Sequence, residues 1–295
     1  MSVTVVHSLD DALAALAASP TATVLAGGTD LMVELNMGHR RTDAVICVNR
    51  VRELRSWRHD PAAGTLHIGA AVTYTELMDE PLAGFALALA QAARTVGSPQ
   101  IRNAATIGGN IGTASPAGDG LPVLAALDAV VHLASSGGRR DVPFAEFATG
   151  PKRTVMQPGE LITGVTIPVL EGFQGYSKVG VRNAMVIATA SACLAVDVPG
   201  RSVRLALGSV GPVILRAPGA EAIVVAAADF EAGTIPADAI VEFGAAAGAA
   251  ARPIDDHRST AEYRRRAIEV LAKRLLSRAF QVDPGRTAST SGANS

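Results

Sequence analysis

The sequence predicts an α+β protein in two parts, an N-terminal region over residues 1–170 and a C-terminal one over 171–280. Three observations carry this expectation. Short apolar runs with partial alternation dominate residues 56–170, whereas helical spacing dominates the chain beyond residue 217. Two glycine-rich stretches, Leu25 to Leu31 and Thr106 to Asp119, interrupt the periodic segments. The composition changes at Val169–Gly175, directly after Pro168 has stopped an apolar run, and this marks the boundary.

Residues 1–55 read as a small α/β unit and 56–170 as a β-rich one. Val3 to Val6 is a short strand, and Ser8, with Asp11 after it, caps a helix in which Leu9, Leu13 and Leu16 share a face. Thr23 to Ala26 is a second strand that runs into the first glycine stretch. Leu31 to Leu35 is a short helix whose N-terminal amides favour an anion, and Asp43 to Val48 is a third strand. Further on, Thr65 to Val72 alternates as a half-buried strand does, and Glu80 to Thr95 is an Ala- and Leu-rich helix with Pro81 early in it. The second glycine stretch reads as a loop. Leu121–Leu127 is helical, Ala129–Leu133 a strand, Gly137-Gly138 a turn into Arg140–Pro143, and Leu161–Ile167 another strand. Beyond the boundary come three strands, Tyr176–Val181, Ser191–Val198 and Val203–Val210. Helices follow over Ala217–Ala228, Pro236–Ala250 and Ser259–Phe280, the last with Ser259 and Glu262 as a capping box. Residues 281–295 read as a disordered tail.

Composition narrows the function classes. A chain of 295 residues suits two domains, and 48% hydrophobic content with only 4% aromatic residues implies aliphatic cores. The net charge of −1 gives no electrostatic reason to expect nucleic acid or an anionic membrane surface. Cys47 and Cys193, the only cysteines, sit in apolar runs and read as small buried hydrophobes; they cannot supply a four-cysteine cluster. The six histidines show no metal-ligand spacing, so no metal site and no catalytic side chain is assigned. Without a signal peptide or a spanning apolar run, the expected location is the cytoplasm. Arg264-Arg265-Arg266, balanced by Glu262 and Glu269, reads as a solvated helix face.

Both glycine stretches pair adjacent glycines with small hydroxyl or amide side chains and a carboxylate, a composition that lets backbone N–H groups approach an anion. Two such segments suit a diphosphate held from both sides, hence a dinucleotide. A lone Gly-Gly pair is more often an ordinary turn. Neither stretch has the G-x-G-x-x-G spacing and no P-loop occurs, which argues against a Rossmann domain or P-loop enzyme. The ordered pair Ala26-Gly27-Gly28-Thr29-Asp30-Leu31 and Thr106-Ile107-Gly108-Gly109-Asn110-Ile111, continued by Ser115-Pro116 and Asp119, resembles the FAD-binding subunit of molybdenum hydroxylases of the xanthine, carbon monoxide and nicotine dehydrogenase type. Val96 to Asn103, Gly150-Pro151-Lys152-Arg153 and Ala261 to Arg265 strengthen the resemblance, which covers about residues 1–280.

The resemblance implies a PCMH-type FAD-binding domain over 1–170, divided near residue 55, and a C-terminal flavin-subunit domain with a three-stranded sheet and a helical bundle. Diphosphate contacts fall to the N–H groups of Ala26, Gly27, Gly28, Thr29 and Gly109, with Leu25, Asp30 and Leu31 completing the first segment. Asp30 reads as a ribityl or loop-bracing acceptor, or else as the N-cap of the next helix. Thr106, Asn110, Gly112 and Thr113 match positions around the diphosphate and flavin, and Ser115 and Asp119 match positions at the adenosine part. Ile101 and Ala105 line the cofactor channel by resemblance, although the residues alone read as loop and core. Lys178 matches a lysine beside the flavin ring and otherwise reads as a solvent-facing strand residue. Ile187 and Ile162 match ring neighbours and could equally be core, and Asn183 to Ile187 lacks the aromatic side chain that some relatives place there. Thr29 stands where many flavoenzymes tether FAD through histidine, so the FAD is expected to be non-covalent.

The expected function is that of an electron-transfer subunit. Molybdopterin would reside on a large partner and [2Fe-2S] clusters on a small one, in a heterotrimer or that trimer doubled by symmetry, with NAD+ or another carrier as acceptor. The alternative is a stand-alone non-covalent FAD oxidoreductase of the same superfamily; a flavin-binding module without turnover is a third, distant reading.

Overall fold

The computed structural model describes residues 1–283. β1 (Ser2–Val5), α1 (Leu9–Ala18), β2 (Thr23–Leu25), α2 (Leu31–Asn36) and β3 (Ala44–Cys47) form the small α/β unit, a parallel sheet in the order β1-β3-β2. Ser8 Oγ accepts from the Asp11 N–H at 3.1 Å, starting α1 where the capping pattern places it. Ala12 and Leu16 then bury against Val6, Ile46 and Val48.

The next stretch supplies β4 (Trp57–Asp60), β5 (Thr65–Gly69), α3 (Leu82–Phe85), α4 (Leu87–Thr95), α5 (Pro99–Ala104), α6 (Ile107–Thr113), α7 (Leu121–Ala126), β6 (Val130–Ser135) and β7 (Gly138–Pro143). It ends with α8 (Phe144–Phe147), the short pair β8 (Ala148–Gly150) and β9 (Arg153–Thr154), and β10 (Leu161–Pro168). β4-β5-β10-β6-β7 is a single antiparallel sheet. Its inner face (Leu66, Ile68, Val131, Leu133, Val165, Ile167) packs on the helical layer. Trp57–Asp60 was not expected as a strand, and the anticipated helix over 80–95 is divided at Ala86.

The largest difference lies in the second glycine stretch, which is not a loop but the helix α6, preceded by α5. Thr106 Oγ1 caps α6 by accepting from the Gly109 N–H at 3.0 Å. Ile107 and Ile111, one turn apart, are fully buried. Tertiary packing overrides the poor helix propensity of three glycines.

The C-terminal part comprises β11 (Gln174–Val179), β12 (Ala190–Asp197), β13 (Ser202–Gly208), β14 (Leu215–Arg216), α9 (Pro218–Ala227), β15 (Thr234–Pro236), α10 (Ala237–Ala250), α11 (Ala261–Ala279) and β16 (Gln281–Asp283). The sheet β11-β12-β13-β14 has four strands rather than three, because two-residue β14 is too short to leave a periodic signal. Its β12 is buried on both faces: Ala190, Ala192, Leu194 and Val196 pack on the helices α9–α11, while Cys193 and Ala195 enter the core of the N-terminal part. Gln281–Asp283, placed in the expected tail, instead pair with β15 in parallel; the rest of that tail, 284–295, lies outside the described residues. The cap of α11 is Thr260 rather than Ser259, its Oγ1 accepting from the Tyr263 N–H at 3.2 Å.

Two predictions follow from these contacts. Thr260→Ala is expected to cost about 1 kcal/mol in urea unfolding, and Ser259→Ala less than about 0.5 kcal/mol. On the outer sheet face, Thr166 Oγ1 lies 3.2 Å from His67 Nδ1 and 2.7 Å from His132 Nε2, and His132 Nδ1 lies 2.7 Å from Asp141 Oδ1. Burial, then the neighbouring His132 and Arg58, push His67 below its ordinary value of 6.5. The neutral ring is therefore favoured in the folded chain. Its contribution to stability is present above about pH 6.5 and lost as pH falls. Melting temperatures measured between about pH 7.5 and 5.5 should fall less steeply for His67→Gln than for the wild type.

Candidate functional site

The first glycine stretch leaves β2 and turns at Gly28, whose φ of +72° is the left-handed region glycine tolerates. Gly27 lies directly on the α5–α6 junction: a Cβ there would stand 1.7 Å from the Ala104 carbonyl oxygen. Among the described residues, the N–H groups of half-buried Ala26, Gly27, Gly28 and Thr29 donate to no protein acceptor. Partly buried backbone donors ordinarily find partners, so four in succession define a concavity suited to an anion or to water.

Leu25 and Leu31 flank this turn, both half-buried. Asp30 precedes α2 without capping it by its side chain; its Oδ2 accepts from Thr113 Oγ1 at 3.2 Å, so of the two readings the loop-bracing one matches the geometry. Glu34 on α2 is ion-paired with Lys152, whose own N–H donates to the Ala114 carbonyl at 3.1 Å. The Gly150–Arg153 motif thus straps the first glycine segment to the end of α6.

On α6, Gly109, Gly112 and Thr113 fall at helical spacing on one face, with both glycines exposed. A Cβ on Gly112 would meet only Ile162 Cδ1, at 3.4 Å, and one on Gly109 only Thr106 Oγ1, at 3.1 Å. Packing therefore does not require these two glycines, unlike Gly27 and Gly108; a Cβ on Gly108 would stand 2.5 Å from that of Ala70. The Gly109 N–H, expected to face the diphosphate, is already given to the Thr106 cap, so Gly109 offers a bare surface rather than a free donor. Asn110 Oδ1 accepts from the buried Tyr74 hydroxyl at 2.7 Å, and Ser115 Oγ accepts from the Ala117 N–H at 3.3 Å. Ala105 and Ile162 are buried behind α6, while Ile101 is part-exposed on α5.

A cleft of about 580 Å³ opens at the other end of α5, between α4 and the C-terminal sheet, lined by Pro99, Arg102, Arg94, Lys178, Arg182 and Val186 among others. Lys178 is not solvent-facing. Its ammonium donates to Asp119 Oδ2 at 2.7 Å, to the Thr95 carbonyl that ends α4 at 2.9 Å and to the Val186 carbonyl at 3.1 Å. Asp119 also accepts from the Tyr176 hydroxyl at 2.8 Å, and the Lys178 and Asp119 side chains are each only 9% exposed. Both carboxylate oxygens are thus engaged inside the protein, by Tyr176 and Lys178, whereas the resemblance sets Asp119 at the adenosine part. Burial pushes the Asp119 carboxyl up, and Lys178 and Tyr176 pull it back. Arg94, Arg102 and Arg182 have no carboxylate partner among the described residues, so the cleft has an excess of positive charge. Ile187, next in sequence to the lining residue Val186, is 60% exposed and is not core. Tyr176 was missed by sequence reasoning, although its separation by two from Lys178 on a strand puts both on one face.

Among the described residues no group of three or more His, Cys, Asp or Glu could hold a metal ion, and no helix is long and apolar enough to cross a membrane.

Comparison with known proteins accounts for the two parts. Residues 1–170 match the family described as the FAD binding domain in molybdopterin dehydrogenase, and residues 176–279 match the CO dehydrogenase flavoprotein C-terminal domain. The chain is 32% identical over 274 residues to the glyceraldehyde dehydrogenase medium chain of Sulfolobus acidocaldarius, covering 92% of this chain and 95% of that one. It is 30% identical over 290 residues to the xanthine dehydrogenase FAD-binding subunit of Escherichia coli O157:H7, covering 95% and 96%. A solved structure of carbon monoxide dehydrogenase from Hydrogenophaga pseudoflava superposes with a TM-score of 0.86 at 30% identity, over 95% of this chain and 96% of that chain. With its FAD-binding domain, its flavoprotein C-terminal domain and the fold of such a subunit over nearly its whole length, the chain belongs to the family of FAD-binding subunits of molybdenum-containing dehydrogenases.

Proposed function

We propose that the chain carries non-covalent FAD and transfers electrons from [2Fe-2S] clusters on a small partner subunit to NAD+ or another acceptor, the substrate being oxidised at molybdopterin on a large partner. The four unengaged N–H groups of Ala26 to Thr29, in a segment that Asp30 bridges to Thr113 beside the bare glycines of α6, carry the reading. FAD bound there supplies a carrier that accepts and releases two electrons. Ala26, Gly27, Gly28 and Thr29 hold the diphosphate by backbone donors, and Gly109 and Gly112 let it lie close to α6. Leu25, Asp30, Leu31, Thr106, Asn110 and Thr113 shape and brace that cradle, Ser115 stands toward the adenosine end, and Ile101, Ala105, Ile162 and Ile187 supply apolar walls.

Lys178 sets a cation in the ring-binding cleft, but its pairing with Asp119 makes the buried pair neutral as a unit. The surplus charge comes from Arg94, Arg102 and Arg182, which favours an anionic dinucleotide such as NAD+ over a neutral acceptor. The composition and the absence of a spanning helix among the described residues support a cytoplasmic assembly, in which the medium chain joins a heterotrimer.

Acid precipitation of the purified complex should leave FAD in the supernatant; flavin retained in the pellet would overturn the non-covalent assignment made from Thr29. Gly112→Ala is expected to raise helix stability by up to about 1 kcal/mol yet weaken FAD binding about tenfold, read by flavin titration beside a thermal melt. Lys178→Met should destabilise the chain by about 3 kcal/mol, because it leaves Asp119 buried without its cation. Adding Asp119→Asn should recover most of that loss, and urea unfolding of the single and double variants measures both.

A further inference from the structure

Of the run Arg264-Arg265-Arg266, the second and third members are exposed, as expected of a solvated face, but Arg264 is only 2% exposed. Its Nη1 donates to two carbonyls, Thr189 and Ser209, each at 2.8 Å, and its Nη2 to Asp256 Oδ1 at 2.7 Å. Asp256 is itself fixed by the N–H groups of Arg258 and Ser259 and by the Arg258 guanidinium. A buried guanidinium needs such a set of acceptors, and a network of this kind holds its members in one geometry.

What the clamp holds is the wall of the cleft. Residues 180–189 connect β11 to β12, and Gly180 together with Arg182 to Val186 lines the cavity beside Lys178. Thr189 closes that segment, and Arg264 grips its carbonyl. Ser209, gripped by the same Nη1, has a left-handed φ of +61°, a conformation that a serine keeps only where its surroundings determine it. Its hydroxyl donates to the Ala188 carbonyl at 2.8 Å and its N–H to the Pro116 carbonyl at 2.8 Å, in the second glycine-rich stretch. The wall is thus pinned at Val186 by Lys178, at Ala188 by Ser209 and at Thr189 by Arg264, and the last two pins share one guanidinium.

We propose that Arg264 is a positioning residue for the flavin: without touching the cofactor, it fixes the 180–189 wall, and with it the place of the Lys178 ammonium and the exclusion of water from the ring. The inference rests on the reading that the cleft holds the ring of FAD. A lysine at this position keeps the charge, but its single nitrogen cannot reproduce the planar fork that reaches two carbonyls and a carboxylate together. Loosening the wall admits water, which screens the surplus positive charge of Arg94, Arg102 and Arg182 in the cleft and moves the potential of the ring toward its value in water.

The test compares the purified complex carrying the wild-type chain, Arg264→Lys, Arg264→Met or Ser209→Ala, the last removing only the pin at Ala188. FAD content, melting temperature, flavin midpoint potential and iodide quenching of flavin fluorescence are read well below the melting transition. The expected result is FAD-containing Arg264→Lys and Ser209→Ala complexes in which the potential moves toward that of free FAD and quenching rises several-fold, with FAD held about tenfold more weakly in Arg264→Lys. Should Arg264→Met fail to accumulate, the other two variants decide. Lowered melting temperature with wild-type potential and quenching would overturn the clamp and leave Arg264 a stabilising residue only. A wild-type complex without FAD would instead overturn the flavin reading, and the clamp with it.

Discussion

The approach of Gly27 to the Ala104 carbonyl is the constraint on which the rest of the site depends. No side chain fits between the first glycine turn and the α5–α6 junction, since a Cβ would stand 1.7 Å from that oxygen. With the turn pressed against backbone rather than side chains, the N–H groups of Ala26 to Thr29 have no acceptor among the described residues. The same contact brings Asp30 within reach of Thr113 and Glu34 within reach of Lys152, so two side-chain bridges join segments that are distant in sequence. α5 carries the constraint to the cleft: Ala104 at its end touches Gly27, while Pro99 at its start and Arg102 further along line the cavity. A six-residue helix is about 9 Å long, so a single rigid turn-and-a-half fixes the spacing between the first glycine turn and the cleft.

The C-terminal sheet sets the other wall. Because β12 is buried on both faces from Ala190 to Val196, its residues there are mostly small and apolar, Ser191 excepted, and its alternation separates two cores rather than core from water. Facing β11 lies at the sheet edge, where unpaired backbone groups would be costly if buried. Gln91 on α4 meets that need by accepting from the Tyr176 N–H at 2.8 Å. The edge can therefore be packed against α4, and the Lys178 ammonium reaches the Thr95 carbonyl at the negative end of that helix.

Much of this was legible in the sequence, for identifiable reasons. The N-terminal α/β unit follows from the Ser8 cap and the leucine spacing after it, and the two glycine segments, by pairing glycines with small polar side chains and a carboxylate, pointed to an anion site more than to two ordinary turns. The helical state of Ile107–Thr113 was hidden, since its glycines lower local propensity and only the burial of Ile107 and Ile111 against distant residues reveals it. The Thr260 cap differs from the expected Ser259 by one residue, the margin within which helix ends are set by tertiary contacts. Arg264 was unreadable for a deeper reason: in a run of three arginines, which one turns inward depends on helix phase and on the carbonyls of Thr189 and Ser209, far away in the chain.

The surface of α6 shows how a local rule is broken where a site is built. An exposed glycine inside a helix is less stable than alanine by roughly 0.5–1 kcal/mol, and α6 has two on one face, Gly109 and Gly112. Neither is required by packing, whereas Gly27 and Gly108 plainly are. Buried isoleucines and the Thr106 cap offset the loss, so the helix persists despite its own composition. A fold tolerates that combination when the bare face has a use, and the Thr113–Asp30 hydrogen bond ties α6 to the turn in which the N–H groups of Ala26 to Thr29 find no acceptor among the described residues. The bare glycines of α6 and the N–H groups of Ala26 to Thr29, which find no acceptor among the described residues, thus complement each other: one leaves room for a flat, charged ligand and the other offers donors suited to it.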